Sequence, residues 1–150
     1  MYKKILVPLD GSERAESILP FVQSMAGSFG ATVVLLKVDE PPLLLGFDEV
    51  IDMANYHLSR QKQRQETETY LSGIATTLRA KDIESKNVVE SGDVVKTILE
   101  VANREGADLV AMFSQAGSDL KRSLYKSIAA GLLQQSDRPL LISRSRRQAA

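Results

Sequence analysis

IESKNVVESGDVVKTILEVANREGADLVAMF, residues 83–113, decides the fold. IESKNVVE (residues 83–90) reads as a strand. Ser91–Gly92–Asp93 then turns the chain and supplies a helix cap. Val94, Val95, Ile98, Leu99 and Ala102 recur at helical spacing, and Gly106 is placed to end that helix. ADLVAMF (residues 107–113) follows as an almost wholly apolar strand. Two strands joined through one helix must run parallel, because an antiparallel pair would need only a short turn. An apolar strand of this kind also needs cover on both faces.

The same alternation extends in both directions. KKILVPL (residues 3–9) is a short strand, and Ala15, Ile18, Leu19, Val22, Met25 and Ala26 give the helix after it an apolar face. Asp10 or Ser12 can cap that helix, with Glu13 spaced from Asp10 as in a capping box, and Gly27 or Gly30 can end it. ATVVLLKV (residues 31–38) is a second two-sided strand. Pro41–Pro42 breaks the pattern, and Leu43, Leu44 and Leu45 can serve as a lid, a partner surface or a local core patch. Helix formers dominate residues 48–81. SRQKQRQETET (59–69) carries no large apolar side chain and reads as a solvated face or a poorly packed arm, and packing resumes at Tyr70, Leu71, Ile74, Ala75 and Leu78. LKRSLYKSIAAGLLQQ (120–135) is an amphipathic helix, RPLLIS (138–143) the last strand, and residues 143–150 a polar tail. The whole is expected to be one α/β domain over residues 1–150, an open parallel sheet with helices on both faces.

Composition sets outer limits on function. The chain is 43% hydrophobic and 25% charged with a formal net charge of zero, so no long-range field favours nucleic acid or an anionic membrane. It has no cysteine, which removes disulfides and thiolate chemistry. The apolar run Ile5–Leu9, broken by Pro8, is too short for a signal-peptide core, and nothing approaches the roughly 20 apolar residues of a membrane span. A cytoplasmic location is the expectation. No G-x-S-x-G, no G-x4-G-K-[ST] and no second histidine beside His57 is present, so no catalytic or metal constellation is assigned.

In a parallel sheet of this type, ligands sit beyond the carboxyl ends of the strands where strand order reverses. That places Pro8–Leu9–Asp10, Val38–Asp39, Glu90–Gly92 and Met112–Ser114 near the mouth. KKILVPLDGSERAE, VVLLKVDE, SGDVVKTILEVANREGADLVAMFS and LKRSLYKSIAAGLLQQSDRPLLISR, taken in that order, resemble the universal stress protein family. The resemblance spans nearly the whole chain. It implies a Rossmann-like, adenine nucleotide alpha hydrolase-like fold with five parallel strands ordered 3-2-1-4-5, and commonly a homodimer. ATP-binding members carry G-x2-G-x9-G-[ST] after the fourth strand. Here the three glycine positions are Phe113, Ala116 and Lys126, with Ser127 and Ile128 following. Positions that touch base and ribose in the family match Pro8, Asp10, Val38 and Met112.

Glycine in a phosphate loop lets backbone amides approach oxygen and permits positive φ. Ala116 adds a methyl group. The Phe113 ring must enter either the cleft or the core. Lys126 can obstruct phosphates or attract them. Gly117 lies one residue late and could re-register the loop.

Other residues remain open between roles. Asp10 suits a ribose contact or only a cap; Lys121, Arg122 and Lys126 suit an anion or a solvated face; His57 reads as a surface residue. The expected function is regulation in a stress response, as a dimer through Leu140, Leu141 and Ile142, with ATP binding lost or weak. The alternative is a sensor or slow ATPase that binds ATP or AMP. A phosphorylation receiver is disfavoured, because Asp10 has Leu9 and Gly11 as neighbours rather than a second acid, and the last strand runs into Arg144 instead of a lysine.

Overall fold

The computed structural model of the protein describes residues 2–39, 53–114 and 120–144, with backbone only at 53, 54 and 120–127. Near-continuous apolar runs build the centre of a five-stranded sheet: β1 (Lys4–Leu9), β2 (Thr32–Asp39) and β4 (Leu109–Ser114). The more polar β3 (Ser85–Ser91) and the short β5 (Leu140–Arg144) occupy its edges. Strand order is β3-β2-β1-β4-β5 and every pairing is parallel, as the sequence implied. The connecting helices are α1 (Leu19–Phe29), α2 (Met53–Arg79), α3 (Val94–Glu105) and α4 (Leu120–Gln135).

Alternation along the strands divides the core in two. Ile5, Val7, Val33, Leu35 and Ala111 face α1 and α2, against Ile18, Val22, Leu71, Ile74 and Leu78. Leu6, Val34, Leu36 and Val110 face α3 and α4, against Ile98, Val101, Ala102 and Leu132. Each fully buried aliphatic side chain contributes about 1.5–3 kcal/mol, so β1 and β2 hold the two layers together.

The helix ends follow the sequence closely. Gly30 and Gly106 close α1 and α3 in the left-handed conformation, at φ 64° and 67°. Asp93 caps α3 by accepting from the Lys96 N–H at 3.0 Å. The loop after β1 departs from the expected capping box. Asp10 Oδ1 accepts instead from Ser12 N–H (2.9 Å) and Ser12 Oγ (2.6 Å), and Ser12 Oγ accepts from Ala15 N–H (3.1 Å). A 3-10 turn, Ala15–Ile18, then leads into α1.

One further expectation changes. The polar tail cannot begin at residue 143, because Ser143 and Arg144 pair with Phe113 and Ser114 inside the β4–β5 ladder. The polar stretch 59–69 is largely the solvated helix face that the sequence suggested, not an arm, with Thr67 buried and Arg60 and Gln63 half-buried. It is the middle of a continuous α2. Leu43, Leu44, Leu45 and residues 145–150 lie outside the described residues.

Candidate functional site

The strand order reverses between β1 and β4. Their ladder contains only Ile5↔Leu109 and Leu6↔Val110, whereas β1 pairs with β2 along its full length to Leu9↔Lys37. Pro8 has no N–H to give, so the ladder toward β4 has no donor at that position. Beyond Leu6 the two strands no longer pair, and this is where a switch-point crevice is expected.

Alternation places Pro8 on the same face as Leu6, the face of α3 and α4. Val38 and Ile128 pack against that same cluster, and Met112 is buried in it. Four of the candidate residues therefore share one side of the sheet, as an apolar shelf at the ends of β1, β2 and β4 under α4. Such a shelf suits the flat face of a heterocyclic base. Asp10 stands exposed at the rim, its Oδ1 already engaged by Ser12.

Phe113 goes the other way. It is 8% exposed and belongs to the core beneath α1 and α2, with Leu9, Ala15 and Ile18. Its backbone is strand, paired with Ser143. The ring does not enter the crevice, and the first glycine position of the family motif is a core position here. Ala116 lies outside the described residues. Lys126 and Ser127 are in α4, where only their backbone is described. His57 is exposed.

Sequence reasoning named Asp39 only as near the mouth. It is 5% exposed, bonded to Lys37 Nζ at 2.7 Å, and accepts the Thr67 hydroxyl at 3.0 Å. Lys37 also approaches the β1 loop. A Cβ on Gly11, whose φ is +89°, would stand 3.5 Å from Lys37 Cε. The Lys37–Asp39–Thr67 chain thus ties α2 to the end of β2. The signal for it was the single charged pair in an otherwise apolar strand, facing a threonine at the inward position of α2.

Tyr70 was also missed as a polar group. Its Oη is buried and has no hydrogen-bond partner among the described residues. Burial, then the Glu16 and Asp10 carboxylates, push its pKa well above the ordinary phenol value. A raised pKa means stability that is present below pH 10.0 and lost above it, because the unfolded chain then ionises while the folded one resists. Tyr70→Phe is expected to stabilise the protein by about 1 kcal/mol at neutral pH, since it deletes an unsatisfied hydroxyl. It should also flatten the loss of stability above pH 10.0 in urea titrations. A destabilised variant would mean that the hydroxyl has a partner in solution.

Comparison with known proteins agrees with this geometry. The profile of the universal stress protein family matches residues 1–144. Universal stress protein MJ0577 of Methanocaldococcus jannaschii is 29% identical, over 95% of this chain and 94% of its own. The solved structure of that protein superposes with a TM-score of 0.81 at 26% identity, over 98% of this chain and 99% of the other. Two more distant structures share the fold. One is a universal stress protein in complex with cAMP (16% identical, TM-score 0.70, covering 97% and 98% of the two chains). The other is a universal stress protein from Archaeoglobus fulgidus in complex with dAMP (17%, TM-score 0.66, covering 94% and 97%).

Proposed function

Because the chain belongs to the universal stress protein family, we propose that it is a regulatory protein of the stress response, one cytoplasmic domain acting as a dimer, whose switch-point crevice binds ATP weakly or not at all. The observation that carries the weak-ATP reading is the burial of Phe113 at the first glycine position. A residue held in the β4–β5 ladder with its ring in the core lacks the conformational freedom by which a glycine lets a loop wrap a triphosphate. Calorimetric titration with ATP tests it: a Kd above roughly 1 mM is expected, and micromolar binding overturns it.

A second reading has its own support. The shelf of Pro8, Val38, Met112 and Ile128 needs no phosphate loop to hold a base. Relatives of the same fold have been crystallised with cAMP and dAMP, ligands that carry one phosphate. Binding of AMP tighter than ATP in the same titrations would favour a mononucleotide sensor. Native mass spectrometry of freshly purified protein would reveal a retained nucleotide.

The dimer is assigned to the free edge of β5. Leu140, Leu141 and Ile142 are only half-buried there, and an uncovered edge invites pairing. Light scattering at micromolar concentration should give twice the 16.5 kDa chain mass. Ile142→Lys should shift it to monomer. A monomeric wild type removes the proposal.

A further inference from the structure

The inward face of α2 changes chemistry along its length. Leu78, Ile74 and Leu71 are apolar and buried on the sheet. The same stripe, followed back at spacings of three and four, runs through Thr67, Gln63, Arg60 and Tyr56. These polar residues overhang the carboxyl ends of β2 and β3. Tyr56, Arg60 and Gln63, with Asp39, Val89 and Ser91, line a half-open cavity of about 310 Å³. That volume is at the small end of ligand sites. A stripe that is apolar where it only packs, and polar where it roofs a cavity at the ligand-binding end of the sheet, has the distribution of a binding surface.

Arg60 is its centre. One Nη donates to Tyr56 Oη at 3.3 Å and the other to Ser91 Oγ at 2.9 Å. The guanidinium carbon lies 5.9 Å from the centroid of the Tyr56 ring. Neutral partners from two elements, α2 and β3, thus orient the fork without neutralising it. Among the described residues no carboxylate pairs with Arg60. Arg64 and His57 line the same cavity. The carboxylate in the lining, Asp39, is already matched by Lys37 and Thr67. Arg64 meets Glu68 at 3.4 Å, so the cation left without a carboxylate in the lining is Arg60, and a guanidinium keeps N–H groups to spare after such bonds.

We propose that this cavity is an oxyanion site, separate from the switch-point crevice, in which Arg60 anchors the phosphate or carboxylate of a small metabolite. Arg64, whose guanidinium also meets Glu68, adds charge at its mouth, His57 lies beside it, and the Tyr56 ring forms one wall.

The test is titration of the full chain with inorganic phosphate and with acetate, against chloride at matched ionic strength, followed by calorimetry and melting temperature. At least one of the two oxyanions should bind and raise the melting temperature beyond the chloride control. Phosphate alone would assign a phosphorylated ligand, acetate alone a carboxylate. Arg60→Gln should weaken binding about tenfold or more, the loss expected for one charge-assisted anchor. Arg60→Lys should not restore it, because an ammonium lacks the fork. Should Arg60→Gln lack a native melting transition, Ser91→Ala decides, with an expected weakening of about threefold from the loss of one orienting bond. Neither oxyanion exceeding chloride, or undiminished affinity in the deciding variant, overturns the proposal.

Discussion

Phe113→Gly is expected to destabilise the protein by about 3–5 kcal/mol, the cost of deleting a large aromatic side chain from a packed core. The motif comparison alone suggests the opposite, a gain of function from restoring a glycine. The structure explains the difference. The ring fills space between β4, the 3-10 turn and α1, beside Leu9, Ala15 and Ile18, and the backbone at 113 pairs with Ser143. Glycine there adds backbone entropy to the cavity cost. Chemical denaturation should show the loss, and Phe113→Leu, which keeps most of the volume, should lose much less. Any benefit to phosphate approach appears only in the combined Phe113→Gly, Ala116→Gly, Lys126→Gly variant, measured below its lowered melting temperature. There ATP should bind about tenfold tighter than in wild type. Unchanged stability in Phe113→Gly would mean that the ring is not packed. A folded triple variant with no gain would mean that the glycine positions do not limit binding.

Asp39→Ala should be the other costly change, at about 3 kcal/mol. Removing one partner of a buried ion pair leaves the other charge uncompensated, typically at about 3–5 kcal/mol. The lower end applies because the Lys37 side chain keeps 18% of its surface exposed. Thr67 loses its acceptor as well. Replacing the whole group by apolar residues, Lys37→Met with Asp39→Leu and Thr67→Val, should return stability to within about 1 kcal/mol of wild type, since no buried charge is then left alone. Urea denaturation of the single and triple variants checks both statements. A cost below about 1 kcal/mol for Asp39→Ala would mean that water reaches the pair.

Much of this architecture was legible in the residues. Two-sided apolar strands separated by helical periodicity allow little besides a parallel sheet, and Asp93, Gly30 and Gly106 mark helix ends through local geometry that needs no tertiary context. The apolar half of the candidate crevice was legible as well. Pro8, Val38 and Met112 end their strands and share a face by alternation. What could not be read was direction and partnership. Whether Phe113 turned into the cleft or the core depended on strand β4 continuing to Ser114. The polar run 59–69 read as a solvated face, and most of it is, but hydropathy does not say which of its residues turn toward the sheet. Following the apolar stripe of Leu71, Ile74 and Leu78 backward would have put Arg60 and Thr67 inside. The unpartnered Tyr70 hydroxyl has no sequence signature, since tyrosine serves equally as packing and as donor.

The narrow ladder between β1 and β4 also bears on how the chain reaches this shape. β1, β2 and β3 follow one another through adjacent crossovers, as do β4 and β5, so each group can assemble from near neighbours. The seam joins distant segments: Asp108, at the entry to β4, bonds the Lys4 N–H across 104 sequence positions, and its own N–H donates to Lys4 O at 2.8 Å. Closing so long a loop costs more entropy than either crossover, by about 0.6 kcal/mol for each doubling of length. Only two paired positions and the Asp108 clasp repay that cost through hydrogen bonds. Contact separation of this kind predicts that the two short-range assemblies form first and the seam closes last, an order that φ-value analysis at Asp108 and Leu6 would check. In that order the opening that makes room for a ligand is also the last part of the molecule to form.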